Sequence, residues 1–481
     1  GVAREIAPGV GDAPATGRAP RPPARLPEHI QLRGVRTHNL RSVDVDLPRR
    51  AITAVCGVSG SGKSSLAFDT LAGEAWQRFS ESLPFQVRRH MKRLARPELD
   101  RADGLGPVIS LRQQQARAGQ RSTVATQSEL GPLLRLLFSR AGTLNGEPVE
   151  LQAEHFSPDR AAGACTTCEG QGTVSRCDPA RLVTDPSRPI TAGAMDGTRV
   201  GKYLGEADGQ FLATLRAAGP SVDWNLPFAE LDEVAQELAL RGAGSDEVLL
   251  VRWELAEGGQ AGEGKGTHEF EATWDGMLAL AEREAQRRVK QKSFISWAEP
   301  LAPGPCEDCG GTRLGPRARS VTLGGRTLPE LLDLPVGRLL DELGSLELDG
   351  RQSPVLEALM PEVRERVGSL VSLGLGHLQL SRKSPTLSGG ELQRTRLASV
   401  LRAGLAGVTL VLDEPTSGLH ARDVEGLMGL LREFTAEGNT VVLVEHDPGV
   451  LRAADHLIEL GPGAGDAGGE VVAIGAPSEV L

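Results

Sequence analysis

Gly57-Val58-Ser59-Gly60-Ser61-Gly62-Lys63-Ser64 matches the pattern G-x-x-x-x-G-K-[ST] at every position. The apolar run Ala51–Cys56 ahead of it reads as a short buried strand, and residues Lys63 through Leu71 read as a helix. Strand, loop and helix in that order are the setting a phosphate-binding loop requires. Glycines let backbone N–H groups wrap phosphate oxygens, Lys63 supplies charge to the β- and γ-phosphates, and Ser64 offers its hydroxyl to Mg²⁺. The following helix points its N-terminal N–H groups at the same anion. The candidate nucleotide contacts are therefore Gly57, Ser59, Gly60, Gly62, Lys63, Ser64 and Ser65.

Far along the chain, Val408–Leu412 and Thr440–Val444 are apolar runs bounded by polar or turn residues, which suit buried parallel strands. The first ends in Asp413-Glu414. An acidic pair at a strand end supplies the other half of a phosphoryl-transfer site: Asp413 to hold Mg²⁺, Glu414 to polarise the attacking water as general base. Just before that strand, Leu387-Ser388-Gly389-Gly390-Glu391-Leu392-Gln393-Arg394 opens a helix-like run. This L-S-G-G-E pattern resembles the signature of the ABC ATPase family. The resemblance implies that Ser388, Gly389 and Gly390 of one module cover the γ-phosphate held by the loop of another, so that hydrolysis needs two modules. The sequence carries one loop and one signature. The same resemblance gives Gln113 a metal-coupling role, with Gln114 and Gln115 as adjacent rivals. It assigns Ser417-Gly418-Leu419-His420 to bridging the modules and His446 to contact with the γ-phosphate.

The expected fold is α/β, an ABC-type ATP-binding core split by a long insertion. Its first lobe spans residues 29 to 145 and its second 385 to 481. Between them, Cys165-x-x-Cys168 and Cys306-x-x-Cys309 are thiolate pairs on glycine-bearing turns. Four such sulfurs suit a tetrahedral, closed and hence structural Zn²⁺; reduced free thiols are the plainer alternative. A shared zinc staples the two ends of the insertion together. The zinc-bearing signature domain is then residues 146 to 174 and 300 to 384, with an insertion domain at 175 to 299 containing helix-like stretches Glu230–Leu240 and Asp275–Lys292. Cys56 reads as a small buried thiol. Residues 1 to 28, rich in Pro, Ala, Gly and Arg, read as a disordered tail.

With 63 Asp and Glu against 53 Lys and Arg, any contact to nucleic acid rests on local cations rather than net charge. Candidates are Arg88, Arg89, Lys92 and Arg93, and the run Arg287, Arg288, Lys290 and Lys292; solvated helix faces are the alternative for both. No stretch approaches the roughly 18 apolar residues of a membrane span, and a soluble cytoplasmic protein without a membrane partner is expected.

More specific features resemble the UvrA family, the DNA-damage-sensing subunit of the bacterial excision nuclease. They are His38-Asn39-Leu40, Phe68-Asp69-Thr70, Glu81-Ser82-Leu83, Arg121-Ser122-Thr123-Val124, Gly311-Thr312-Arg313-Leu314, Glu445-His446-Asp447 and Gly461-Pro462-Gly463-Ala464-Gly465 with Gly468-Gly469. The resemblance runs from about residue 30 to the end and implies ATP-controlled binding to distorted duplex DNA, in excision repair or in tolerance of DNA-damaging compounds, with no nuclease activity of the chain's own. Two departures limit it. Only a short stretch separates Ala141-Gly142 from Cys165, where UvrA proper has a UvrB-docking domain, so UvrB recruitment is not carried over. That deletion matches the shorter UvrA paralogues. The sequence also matches one cassette half, which leaves a homodimer, a separately encoded second half or a fragment. The ATPase half of an efflux transporter, and a half that only completes a partner's site, are the rival functions.

Overall fold

The computed structural model describes residues 27–91, 95–113, 119, 121–243, 247–254, 267–289, 291 and 293–481. Almost all of the tail expected at residues 1 to 28 lies outside the described residues, as do Lys92, Arg93, Gln114, Gln115, Lys290 and Lys292. The chain forms two compact units, Gly1–Val149 with Thr322–Leu481, and Glu150–Val321.

In the first unit, the strands Ile52–Gly57, Thr409–Asp413 and Thr440–Val444 are buried on both faces over nearly their whole length. A strand apolar on both faces needs cover above and below, which a parallel sheet provides. They lie in a six-stranded sheet ordered Glu470–Gly475, His456–Gly461, Ile52–Gly57, Thr440–Val444, Thr409–Asp413, Val108–Leu111. Every neighbouring pair is parallel except the antiparallel edge strand Glu470–Gly475. Parallel pairing sends the carboxyl ends of five strands to one edge of the sheet, where open α/β folds place their ligands.

A three-stranded antiparallel sheet, Val43–Pro48, His29–Val35 and Arg101–Asp103, faces the same core. Its residues Ile30, Leu32, Val45 and Leu47 pack with Leu66, Ala67, Phe68 and Leu71 of the helix after the glycine loop, and with Val55, Val411, Val442 and Ile458 of the parallel sheet. The loop helix is thus clamped between two sheets. It runs as π-helix over Ser65–Ala72 and as α-helix over Gly73–Ser82, longer than its apolar portion suggests; Glu74 and Arg78, one turn apart at 2.8 Å, support the polar extension. Residues 322–384 fall in this unit, where Gln352–Ser372 packs against Leu130–Ala141 and Gly389–Leu401.

The second unit is built on a two-stranded ribbon, Thr173–Cys177 paired antiparallel with Leu301–Pro305. Both cysteine pairs lie at its Thr173/Pro305 end. Residues between the two strands form a helical body around Leu182, Met195, Leu204, Leu215, Trp224, Met277, Ala281 and Trp297. Its helices Glu233–Arg241 and Met277–Arg287 start later than the sequence pattern alone suggests. Asp232 caps the first, accepting from the Ala235 N–H at 2.7 Å; Gly276, at φ +84°, turns the chain into the second. Cys56 and Cys177 are both buried, and burial pushes the Cys177 thiol up to about 12. Among the described residues no helix is long and apolar enough to cross a membrane.

Candidate active site and candidate metal centre

The glycine loop begins where the strand Ile52–Gly57 ends, and its shape depends on the missing side chains. Gly57 sits at φ +130°, and a Cβ there would lie 2.0 Å from the Leu460 carbonyl oxygen. Only glycine fits. Val58, Ser59, Gly60 and Ser64 are exposed, and Ser64 starts the helix without a side-chain capping bond. Lys63 folds back, its Nζ donating to the carbonyls of Gly57 and Val58 at 2.9 Å each.

The loop is braced by two segments to which motif reading gave no role. Asn39 Nδ2 donates to the Gly60 carbonyl at 3.0 Å, and its Oδ1 lies 3.5 Å from Ser65 Oγ. From the other end of the chain, Gly465 N–H donates to the Gly60 carbonyl at 3.0 Å and Gly469 N–H to the Ser61 carbonyl at 3.1 Å. Gly469 itself, at φ +86°, would place a Cβ 1.9 Å from the Asn39 carbonyl oxygen. The family-like runs at 38–40 and 461–469 therefore act as a cradle for the loop.

Two strands away, Asp413 closes Thr409–Asp413 and Glu414 follows at φ +43°, its N–H donating to the Val444 carbonyl at 2.9 Å. A non-glycine residue held in the left-handed region stores backbone strain, which persists where the surroundings over-determine it. Here they do. The fully buried Glu445 accepts from Thr416 Oγ1 at 2.5 Å and Thr416 N–H at 3.0 Å, and its other oxygen accepts from the His446 N–H at 3.0 Å. One carboxylate thereby fixes the turn after Glu414 and the start of the segment carrying His446. His446 Nδ1 stands 3.7 Å from Glu414 Oε1. Burial, reinforced by the charge of Glu414, pushes the Asp413 carboxyl up, while burial lowers Lys63 against the opposing charges of Glu414 and Asp413. A divalent cation beside Asp413 would reverse the first of these shifts.

Ser388 caps the helix Gly389–Leu401, its Oγ accepting from the Glu391 N–H at 3.3 Å while Glu391 accepts from the Ser388 N–H at 2.8 Å. Ser388 and Gly389 are exposed. The helix is tied to this edge of the sheet by two further buried residues. Gln393 Nε2 donates to the Leu111 carbonyl at 2.9 Å and the Asp413 carbonyl at 2.8 Å, and Arg394 donates to the Ser417 carbonyl at 3.1 Å. Gln113 lies against the signature of its own chain: a Cβ at Gly389 would meet the Gln113 carbonyl oxygen at 3.3 Å. It is the preceding Arg112 that reaches the loop helix, 2.5 Å from Asp69 and 4.7 Å from the centre of the Phe68 ring.

In the second unit the Sγ atoms of Cys165, Cys168, Cys306 and Cys309 all lie within 4.8 Å of one another, with 4.0 Å between Cys165 and Cys306 and 3.7 Å between Cys168 and Cys309. A tetrahedron with zinc–sulfur bonds of about 2.3 Å has edges of about 3.8 Å. The donor set therefore fits a single zinc-like ion. Gly172 N–H donates to Cys168 Sγ at 3.2 Å, and Arg313 ties the two knuckles, its Nε donating to the Gly170 carbonyl at 2.7 Å and its own carbonyl accepting from the Cys165 N–H at 2.9 Å. Burial pushes the Cys309 thiol up to about 12, whereas hydrogen bonds from the Gly172 N–H and neighbouring thiols outweigh burial at Cys168 and lower it.

No protein-family model matches the chain. UvrABC system protein A of Haemophilus influenzae is 31% identical over 597 residues, a match covering 94% of this chain and 62% of that protein. The Xylella fastidiosa protein of the same name is 32% identical, covering 94% and 60%. The crystal structure of UvrA2 from Deinococcus radiodurans superposes with a TM-score of 0.73 at 34% identity, over 96% of this chain and 57% of that one. The chain is homologous to UvrA. Its mixed α/β fold is consistent with the ABC ATPase core of those relatives. It spans about three fifths of the UvrA proteins it matches. The matched span of 597 residues exceeds the 481 of this chain, so the UvrA relative carries residues inside that span that this chain lacks.

The basic runs considered for DNA contact fare differently. Arg88 and Arg89 are exposed and without a carboxylate partner among the described residues. Arg287 and Arg288 both pair with the buried Glu284, Arg287 at 2.7 Å, and Arg288 also stacks 3.7 Å from the centre of the Trp297 ring. Arg288 is thus held by an ion pair and a ring contact, in keeping with the alternative of a helix face balanced by nearby carboxylates. Glu284 lies three and four positions before them, on the same helical face.

Proposed function

We propose that the chain is an ATP-hydrolysing cassette which binds duplex DNA under the control of ATP, in excision repair or in tolerance of DNA-damaging compounds. The observation that carries this reading is the convergence, at one edge of a parallel sheet in a UvrA homologue, of the Lys63 loop, Asp413-Glu414 and His446. ATP phosphates lie along Gly57, Ser59, Gly60, Gly62, Ser64 and Ser65, with Lys63 on the β- and γ-phosphates. Ser64, Asp413 and Gln113 hold Mg²⁺, which supplies charge neutralisation at the transferring phosphoryl group. Glu414 orients and deprotonates water, and His446 reaches the γ-phosphate. Ser388 and Gly389, which are exposed, and the half-buried Gly390 cover the nucleotide of a second cassette, either another copy or a separate half. The finer assignment is to the shorter UvrA paralogues without the UvrB-docking domain, supported by the short stretch before Cys165 and by the length difference within the matched span. The test is duplex binding by anisotropy with ATP, with ADP and with neither: affinity that shifts with nucleotide and falls with salt supports the reading, and nucleotide-independent binding contradicts it.

The four cysteines hold a structural Zn²⁺ that closes the open end of the ribbon. Cys309→Ser, or chelation, is expected to remove one zinc per chain and to destabilise residues 150–321 by several kcal/mol. Metal analysis with hydrogen exchange along Thr173–Cys177 checks it. Unchanged protection in metal-free protein would contradict the role.

A further inference from the structure

The second unit contains a cavity of about 640 Å³, within the size range of ligand pockets. Two aromatic side chains, Tyr203 and Trp297, and three cations, Arg188, Arg199 and Lys202, line it. Trp297 is buried and held in place: guanidinium groups of Arg288 and Arg199 lie 3.7 and 5.2 Å from its ring centre, and the Tyr203 ring meets it at 5.5 Å, steeply inclined. Tyr203 remains 36% exposed; Phe211 meets its ring at 5.6 Å, and the Arg288 guanidinium lies 5.7 Å from its centre.

The net charge of the chain is −10, and a number of its arginines hold carboxylates, as Arg78, Arg112 and Arg366 do. Arg188 and Lys202 have no side-chain ion-pair or hydrogen-bond partner among the described residues, and the polar partner of Arg199 is the neutral Ser296 hydroxyl at 3.3 Å. Asp196 and Glu206 also line the cavity and leave it with a net positive charge. Converging cations beside an exposed, rigidly backed ring select a ligand that is both anionic and planar. Carboxylates at the rim accept hydrogen bonds from amino or ring N–H groups, which nucleobases provide.

We propose that this cavity takes one unstacked nucleotide of a DNA strand, its base on Tyr203 and its phosphates against Arg188, Arg199 and Lys202. The proposal rests on the reading that the protein binds DNA. It adds a preference for places where a base has left the stack, because a paired duplex keeps its bases inside and offers the cavity only phosphate.

The test uses the full chain and two labelled duplexes, one fully paired and one with a short central unpaired bubble. The bubble should bind more tightly. Tyr203→Leu should lose about tenfold on the bubble and little on the paired duplex, while Tyr203→Phe keeps the preference. Lys202→Gln, a change at an exposed side chain, should lower the salt dependence on the bubble by about one phosphate contact. If wild type binds both duplexes alike and neither Tyr203→Leu nor Lys202→Gln changes the bubble, the pocket is refuted while DNA binding stands. If neither duplex binds, the DNA reading itself has failed and the pocket with it. Displacement of the bubble by equimolar free thymidine monophosphate would also refute it, assigning the cavity to a free nucleotide.

Discussion

Glu414→Gln is expected to slow ATP hydrolysis by about 10²–10⁴-fold, the range for loss of a positioned general base, while leaving MgATP binding intact. The amide keeps the size of the side chain and its place at φ +43°, a conformation fixed through the Val444 carbonyl and the Glu445–Thr416 bonds rather than through the Glu414 carboxylate itself. What is lost is the negative charge that would take a proton from water. Removing it also takes away one of the charges that push the Asp413 carboxyl up. Under the proposed two-cassette scheme, in which hydrolysis separates closed pairs, the variant should accumulate ATP-bound pairs, visible as a doubled mass by light scattering. A variant that hydrolyses ATP at the parental rate would remove Glu414 from the chemistry.

Lys63→Ala should weaken ATP binding by about tenfold to a hundredfold, the worth of a charged hydrogen bond to phosphate. The loop itself should survive, since its course depends on positive-φ glycines and on the braces from Asn39, Gly465 and Gly469. Lys63 contributes to the loop two hydrogen bonds to its own carbonyls. Isothermal titration with ATP, paired with a melting curve, separates the two effects. Lost affinity at an unchanged midpoint is expected; a collapsed midpoint would mean that Lys63 holds the loop together.

Much of this architecture is legible in the chain because it is locally encoded. The glycine loop, the apolar strand ending in Asp413-Glu414 and the two Cys-x-x-Cys turns each carry their pattern within a few residues. The shared four-sulfur cluster follows once the ribbon pairs Thr173–Cys177 with Leu301–Pro305. What escapes is whatever acts through distant partners. Asn39 and Gly465 are 426 positions apart and meet at the same loop carbonyl. Gln393 looks like one more helix-surface amide until its carbonyl partners on two strands are seen. Glu445, a charged residue closing a five-residue apolar strand, did carry a signal: a carboxylate fully buried there must find donors. The spacing of Arg288 to Glu284 was likewise available in the sequence, and their pairing matches the alternative of a charge-balanced helix face.

The most direct test of two-cassette ATP chemistry is the hydrolysis rate per chain, measured across a range of protein concentrations with and without duplex DNA, with Lys63→Ala as the blank. A rate that climbs with concentration, reaches a plateau and shifts when DNA is added is the expected result for cassettes that complete one another's sites. A rate per chain that stays constant on dilution, clearly above the blank and indifferent to DNA, would contradict it, because a single cassette would then be hydrolysing ATP unaided.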